Sequence, residues 1–356
     1  MTWLAWRQFR AQGYVAAAVL IAIAIALALT GPHLAHLYDT TVAPCAAHND
    51  CASVRSIFLK KDPFLQGFNL LLLIVPALIG MFWGAPLIAR EIESGSFRLA
   101  WTQSVTRDRW IATKLLMVAT ASMFSAGLLS LMVTWWSSPF DRLRDNPFGL
   151  FGQRDIAPIG YAAFALALGV VAGVLIRRTL PAMAATLIGY VAVRMAVTQW
   201  IRVKFATPIH ATTVFQAPGQ GSLVGQGLPS NPGDWVISSN TINAAGKVIG
   251  RSGGIGPNGE INFRQLANGA TEFMGVGKCP NVIPPPPAGR GNVSTPSPAV
   301  QHAVQKCVNS FHLRDVLTYQ PTSRYWSFQW YEFAIFLVMA AALAAFAWWK
   351  VRRRLS

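Results

Sequence analysis

Arg90-Glu91-Ile92-Glu93-Ser94-Gly95-Ser96-Phe97-Arg98-Leu99-Ala100-Trp101, continued by Thr106-Arg107-Asp108-Arg109-Trp110 and Lys114, is the stretch that decides how the chain is read. Two glutamates, four arginines and a lysine are gathered there between two apolar runs, residues 67–89 and 115–136. A helix crosses the hydrocarbon core of a bilayer with about 20 apolar residues, so each run is long enough to span. The charged stretch must then lie at a membrane face, because ionised side chains at the bilayer centre are costly.

Composition agrees. Of the 356 residues, 53% are hydrophobic and 12% charged, where ordinary soluble domains carry about 25% charged residues. The net charge of +16 does not point to nucleic acid. A nucleic-acid binder gathers its basic residues on one soluble face, whereas here they are dispersed between apolar runs. Part of that charge is expected to meet anionic lipid headgroups at the cytoplasmic surface.

Outward from the charged stretch, six apolar runs are expected to span: residues 13–30, 67–89, 115–136, 158–176, 182–200 and 326–349. The first twelve residues, with Trp3, Trp6, Phe9, Arg7 and Arg10, have the aromatic and cationic make-up of a short interfacial helix or of a basic flank to the first span. The first apolar run exceeds the usual 7–15 residues of a signal sequence, so it is read as an uncleaved span despite Ala26-Leu27-Ala28. Span two carries Pro76 and Pro86 with Gly80 and Gly84, and span four carries Gly169 and Gly173. Small residues four apart permit close helix contact, and the prolines require neighbours that re-satisfy freed carbonyls. Residues 32–66 read as a polar loop. Its His33, His36 and Asp39 would share a face if helical, but no fourth ligand is evident and no metal is assigned. Residues 137–157 form a second polar connection.

Residues 201–325 are dense in Gly, Pro, Asn and Ser and contain no run long enough to span. Asn258-Gly259 and Asn268-Gly269 are hairpin-type turns, and Trp235-Val236-Ile237 and Glu260-Ile261-Asn262-Phe263 suit short strands. The fold class is therefore a mainly α polytopic membrane protein: six transmembrane helices with a small irregular β-containing ectodomain between helices five and six. Residues 1–200 hold the interfacial helix and helices one to five, 201–325 the extracellular domain, and 326–356 helix six with its basic tail. Charge sets the orientation. Thirteen Lys and Arg on the termini and two short connections face six on the shorter opposite loops, which puts both termini in the cytoplasm. All four cysteines then fall outside the cell, where disulfides persist. Three pairings are possible, and proximity favours Cys45 with Cys51 and Cys279 with Cys307.

Glu-Ile-Glu-Ser-Gly-Ser-Phe-Arg from Glu91 to Arg98, with Arg109 and Lys114 following, resembles the first cytoplasmic loop of permeases in the second class of ABC exporters. A second patch, from Gln320-Pro321-Thr322-Ser323-Arg324-Tyr325-Trp326 to Trp330, is similar to the C-terminal part of actinobacterial members. The resemblance implies a bacterial plasma-membrane permease, paired with a second copy and bound to two ABC ATPase subunits that hold ATP and Mg. It implies that Arg90, Glu91, Glu93, Gly95, Ser96, Arg98 and Arg109 couple the permease to the ATPase. By position in the G-type multidrug exporters of that class, Phe82, Met195 and Gln199 would lie near the substrate pathway. No Gly-x-x-x-x-Gly-Lys-Ser/Thr occurs in the chain, so nucleotide chemistry belongs to a partner and the chain itself holds no cofactor and is no enzyme.

Arg194 lies six residues before Trp200 and Glu332 six after Trp326, so each should sit about 9 Å below the same interface. Equal depth and opposite sign suggest an ion pair that gates the outer end, with independent snorkelling as the alternative. The function expected is the membrane subunit of an ATP-driven exporter that moves a small hydrophobic or amphipathic compound, lipid or peptide outward. The alternative is a non-transporting membrane sensor or resistance protein that binds an extracellular ligand through its ectodomain.

Overall fold

Among the described residues, six helices are long and apolar enough to cross a membrane. The structure, a computed structural model, describes residues 2–37, 39–40, 72–95, 107–138, 141, 147–214, 233–251, 263–265, 271–273, 277–279, 306–307 and 309–354. In chain order the helices are α1, Thr2–Leu37; α2, Leu72–Glu93; α3, Arg107–Trp136; α4, Ala157–Ile176; α5, Thr179–Ala196; and α6, Tyr325–Arg354. Ser96, Arg98, Cys45 and Cys51 lie outside the described residues, as do both expected Asn-Gly turns.

Residues 2–12 and the first apolar run form one continuous helix, and α1 continues through Pro32 to Leu37. The loop expected from residue 32 therefore begins later, and His33 and His36 stand exposed on a helix. No group of three His, Cys, Asp or Glu able to hold a metal occurs among the described residues.

Helix α4 is the centre of the bundle. It packs on α2, α3, α5 and α6, while α1 packs on α3. Between α2 and α4 the backbones touch. A Cβ on Gly80 or Gly84 would lie 2.5 Å from the carbonyl oxygen of Ala165 or Leu166, and one on Gly173 would lie 2.6 Å from that of Ala85. A Cβ on Gly169 would strike the Gly80 carbonyl. Lipid offers no hydrophobic gain for burying one helix on another, so this closeness supplies the dispersion contacts that hold the seam.

Proline shapes the same seam. Pro86 has no N–H to give the carbonyl of Phe82 four residues earlier. The helix opens there into a π turn, Gly80–Gly84. The Gln12 amide of α1 donates to that Phe82 carbonyl at 3.1 Å. A neighbouring helix thus re-satisfies the group that proline frees, as the bilayer interior requires.

Between α5 and α6 the described residues form two antiparallel sheets. The strands are β1 Ile209–Val214, β2 Trp235–Ile242, β3 Val248–Arg251, β4 Phe263–Gln265, β5 Thr271–Phe273, β6 Gly277–Cys279 and β7 Arg314–Gln320. One sheet has the order β1-β7-β2-β3 and the other β4-β5-β6. Strand β2 starts at the expected Trp235, and β4 starts at Phe263, where the other expected strand ends. The β2–β3 turn is built by Asn243, whose Oδ1 accepts from the N–H groups of Ala245 and Lys247, with Gly246 at φ 76°.

Other boundaries also differ from the sequence expectation: α3 begins at Arg107, eight residues before Leu115. Helix five does not stop at Trp200: it passes through a π turn, Val197–Ile201, into a 3₁₀ turn, Arg202–Lys204. Arg202 consequently belongs to the helix and not to the domain that follows. The polar connection at 137–157 is likewise more than a solvated loop, because Phe148, Phe151 and Arg154 are buried. Phe148 stacks on Trp235 of β2 at 5.3 Å and meets Phe328 of α6 edge-on. These rings seat the four-stranded sheet on the ends of the helices.

Candidate functional site

The bundle has two polar ends. At the sheet end, Glu332 is fully buried on α6. Its Oε1 accepts from Tyr161 Oη at 2.6 Å, Arg194 Nη1 at 2.8 Å and Arg202 Nη2 at 2.8 Å, and its Oε2 accepts from Arg202 Nε at 2.7 Å. The guanidinium of Arg194 lies over the Tyr161 ring at 4.0 Å and that of Arg202 over the Phe151 ring at 4.2 Å. Ring faces of this kind solvate a cation where water is absent. Gly152 packs against the same group, because a Cβ there would collide with Arg194 Nη2.

The π turn explains how two arginines reach one carboxylate. Residues eight apart on a regular helix stand about 80° from one another around the axis. A π turn absorbs one extra residue, which reduces that offset to about 20°. Arg194 and Arg202 therefore share a face. Thr198 bonds within the distorted turn, donating to the Arg194 carbonyl at 2.8 Å and accepting from Arg194 Nη1 at 2.9 Å.

A second tier adjoins the first. Gln329 Oε1 accepts from the Ala157 N–H at the start of α4 at 2.9 Å, and its Nε2 donates to Phe151 O and Tyr325 Oη, each at 3.0 Å. Tyr325 Oη donates to Asp155 and accepts from Arg154 Nε at 3.2 Å. Arg154 Nη1 reaches both Asp141 oxygens, at 2.8 and 3.0 Å. Burial alone would lower the Arg154 pKa; the Tyr325 hydroxyl and the Asp141 carboxylate beside it outweigh that and raise it. The first tier has one cation too many and the second one carboxylate too many. Together Arg154, Arg194 and Arg202 balance Asp141, Asp155 and Glu332. Asp141, 47% exposed, stays at the edge of the cluster, and that balance lets the other five leave water.

At the other end, where α2 leads through residues 96–106 to α3, contacts among the described residues are fewer. Glu91 pairs with Lys114, whose ammonium lies over the Trp110 ring at 4.9 Å. Glu93 Oε2 accepts from the N–H of Thr179 at 3.0 Å and from its hydroxyl at 2.7 Å. Gly95, at φ 69°, ends the α2 helix in the left-handed region that glycine adopts without strain. Asp108 accepts from Trp348 Nε1 at 2.9 Å and lies 3.8 Å from Arg352. Arg90 and Arg109 are exposed.

Arg194 and Glu332 thus meet, while the loop residues divide between internal contacts and the surface. Phe82, Met195 and Gln199 all stand on the surface of the chain, on α2, on α5 and on the π turn that extends α5. Three partners of Glu332's network were not anticipated: Arg202, Tyr161 and the Arg154 tier. One signal was present, since Tyr325, Gln329, Glu332 and Phe336 fall at steps of four, three and four on one face of α6.

Residues 17–202, slightly more than half of the chain, match the model of a family described as ABC-2 membrane transporter related. No curated protein and no solved structure matches the chain.

Proposed function

The chain belongs to the ABC-2 membrane transporter related family, and on that premise we propose that it is the membrane subunit of an ATP-driven exporter in a bacterial plasma membrane. Members of this family usually work with an ATPase subunit. In our reading two copies of that subunit, holding ATP and Mg, drive the permease from the cytoplasm through residues 90–114. The termini lie inside, the sheets outside, and cargo leaves outward: a small hydrophobic or amphipathic compound, a lipid or a peptide.

The observation that carries this reading is the construction of α2. Its loop end is pinned to α3 by Glu91 and Lys114, and its middle touches α4 backbone to backbone. A push on the end of α2 is therefore delivered to the centre of the bundle instead of being lost in side-chain motion. Exposure of Phe82, Met195 and Gln199 supports a second copy, since a passage lined by these residues closes only when another chain covers them. Arg194, Arg202 and Glu332 form the outer gate in this scheme. The disulfide-bonded state of Cys307 supports its pairing with Cys279, with Cys45 and Cys51 as the other bridge.

Affinity capture of the tagged chain from its native membranes tests the assignment. An ATPase subunit is expected to come with it. A cysteine placed by Ser96→Cys should react with a membrane-impermeant reagent only after the cell is opened. Capture without an ATPase, or labelling of that cysteine from outside, overturns the assignment.

A further inference from the structure

The Glu93–Thr179 contact is used by nothing above, and it joins the helix that the loop moves to the helix that bears the gate. Thr179 is the first residue of α5, and a helix start leaves its N–H groups without partners inside the helix. Glu93 satisfies one of them and the threonine hydroxyl together, with its charge at the positive end of the helix dipole. At its far end α5 carries Arg194 and Arg202, both on Glu332, and then leads into β1.

We propose that Thr179 is the positioning residue through which displacement of α2 reaches α5. The inference rests on the permease reading. Apolar contacts between two helices in lipid let one slide past the other. A carboxylate accepting two hydrogen bonds from one residue fixes the start of α5 to the end of α2 in direction as well as distance. The α4–α5 connection is short, with Arg177 held at φ 59°, so Thr179 has no slack by which to follow α2 passively. Motion of the loop then turns α5 as a rod, and the strain arrives at Glu332.

The test uses the full permease–ATPase complex in proteoliposomes, comparing Thr179→Val, Thr179→Ser, Glu93→Gln and the Glu93→Gln/Thr179→Val pair. The readouts are permease-stimulated ATP hydrolysis, the amount of ATPase bound, and the melting temperature of the permease. Thr179→Val removes one hydrogen bond to a charged acceptor and should lower stimulation roughly fivefold, with ATPase binding and melting unchanged. Thr179→Ser restores stimulation, and the double variant is no worse than the weaker single one. Full stimulation in Thr179→Val, or additive losses in the pair, overturns the inference while leaving the permease reading intact. Absence of bound ATPase from the wild-type chain overturns both.

Discussion

The two ends of the bundle solve the same problem, charged side chains beside a bilayer, in opposite ways. At the sheet end a carboxylate is fully buried, gripped by two arginines and a tyrosine, and balanced by a neighbouring tier. At the loop end, among the described residues, most of the charged groups stand in water and, the largely buried Glu91–Lys114 pair apart, the contacts that cross between helices are isolated and exposed. The separation is about 24 Å along α6, taking Glu332 and Trp348 as markers. The difference follows from dielectric. In a dry site a charge without a partner costs several kcal/mol, so every group there must be matched. Near water an unmatched charge is solvated, and pairs are worth little. The sheet end is thus built to be closed or broken as a unit, and the loop end to be adjusted contact by contact.

Glu332→Gln breaks the comparison at its strongest point. The amide keeps the shape and one acceptor, but leaves Arg194 and Arg202 buried beside each other without a counter-charge. Removing one partner of a buried ion pair costs about 3–5 kcal/mol. Denaturant unfolding in detergent should show a loss of that size. A loss under about 1 kcal/mol would mean that water already reaches the site, contrary to the complete burial of Glu332.

Sequence reasoning found much of this fold for reasons that are physical. Spans announce themselves because a bilayer demands long apolar runs, and the charged stretch at 90–114 announces a face because charge cannot cross. Arg194 and Glu332 could be matched by depth, since a regular helix rises uniformly. Arg202 was lost because Trp200 looked like an interfacial end, and a π turn cannot be read from composition. Tyr161 was lost because a tyrosine in an apolar run reads as ordinary packing. The Arg154 tier depends on Asp141 and on residues 147–155 packing against α6 and the sheet, long-range contacts with no local signature. Glu91 and Glu93 were legible as acidic positions, but their internal partners, Lys114 and Thr179, lie 23 and 86 residues away.

The α2–α4 seam joins the two ends, and Gly169→Val tests whether it does so rigidly. The new side chain would meet the Gly80 carbonyl, a backbone atom within the π turn that has little room to retreat. Overpacking of this kind costs about 1–3 kcal/mol, less than stripping the charge from Glu332. The substitution should also loosen the coupling of the two ends, seen as a lower permease-stimulated ATP hydrolysis with ATPase still bound. Normal stimulation alongside the expected destabilisation would show that the seam holds the bundle together without passing motion along it.

The smallest effect belongs to Asp108→Asn. Its side-chain oxygen would still accept from Trp348 Nε1, so the hydrogen bond survives and what is lost is the screened attraction to Arg352 and to the positive end of the α3 dipole. That pair is 3.8 Å apart with both side chains largely exposed, at 45% for Asp108 and 69% for Arg352. Screening by water and salt confines the loss to within about 0.5 kcal/mol at physiological ionic strength. Melting curves at low and at high salt separate this from a structural role: a difference that shrinks with salt is the exposed pair, since the Debye length falls from about 10 Å at 0.1 M to about 3 Å at 1 M. A loss as large as that of Glu332→Gln, insensitive to salt, would mean that the loop end is as dry and as rigid as the sheet end, and the contrast between them would fail.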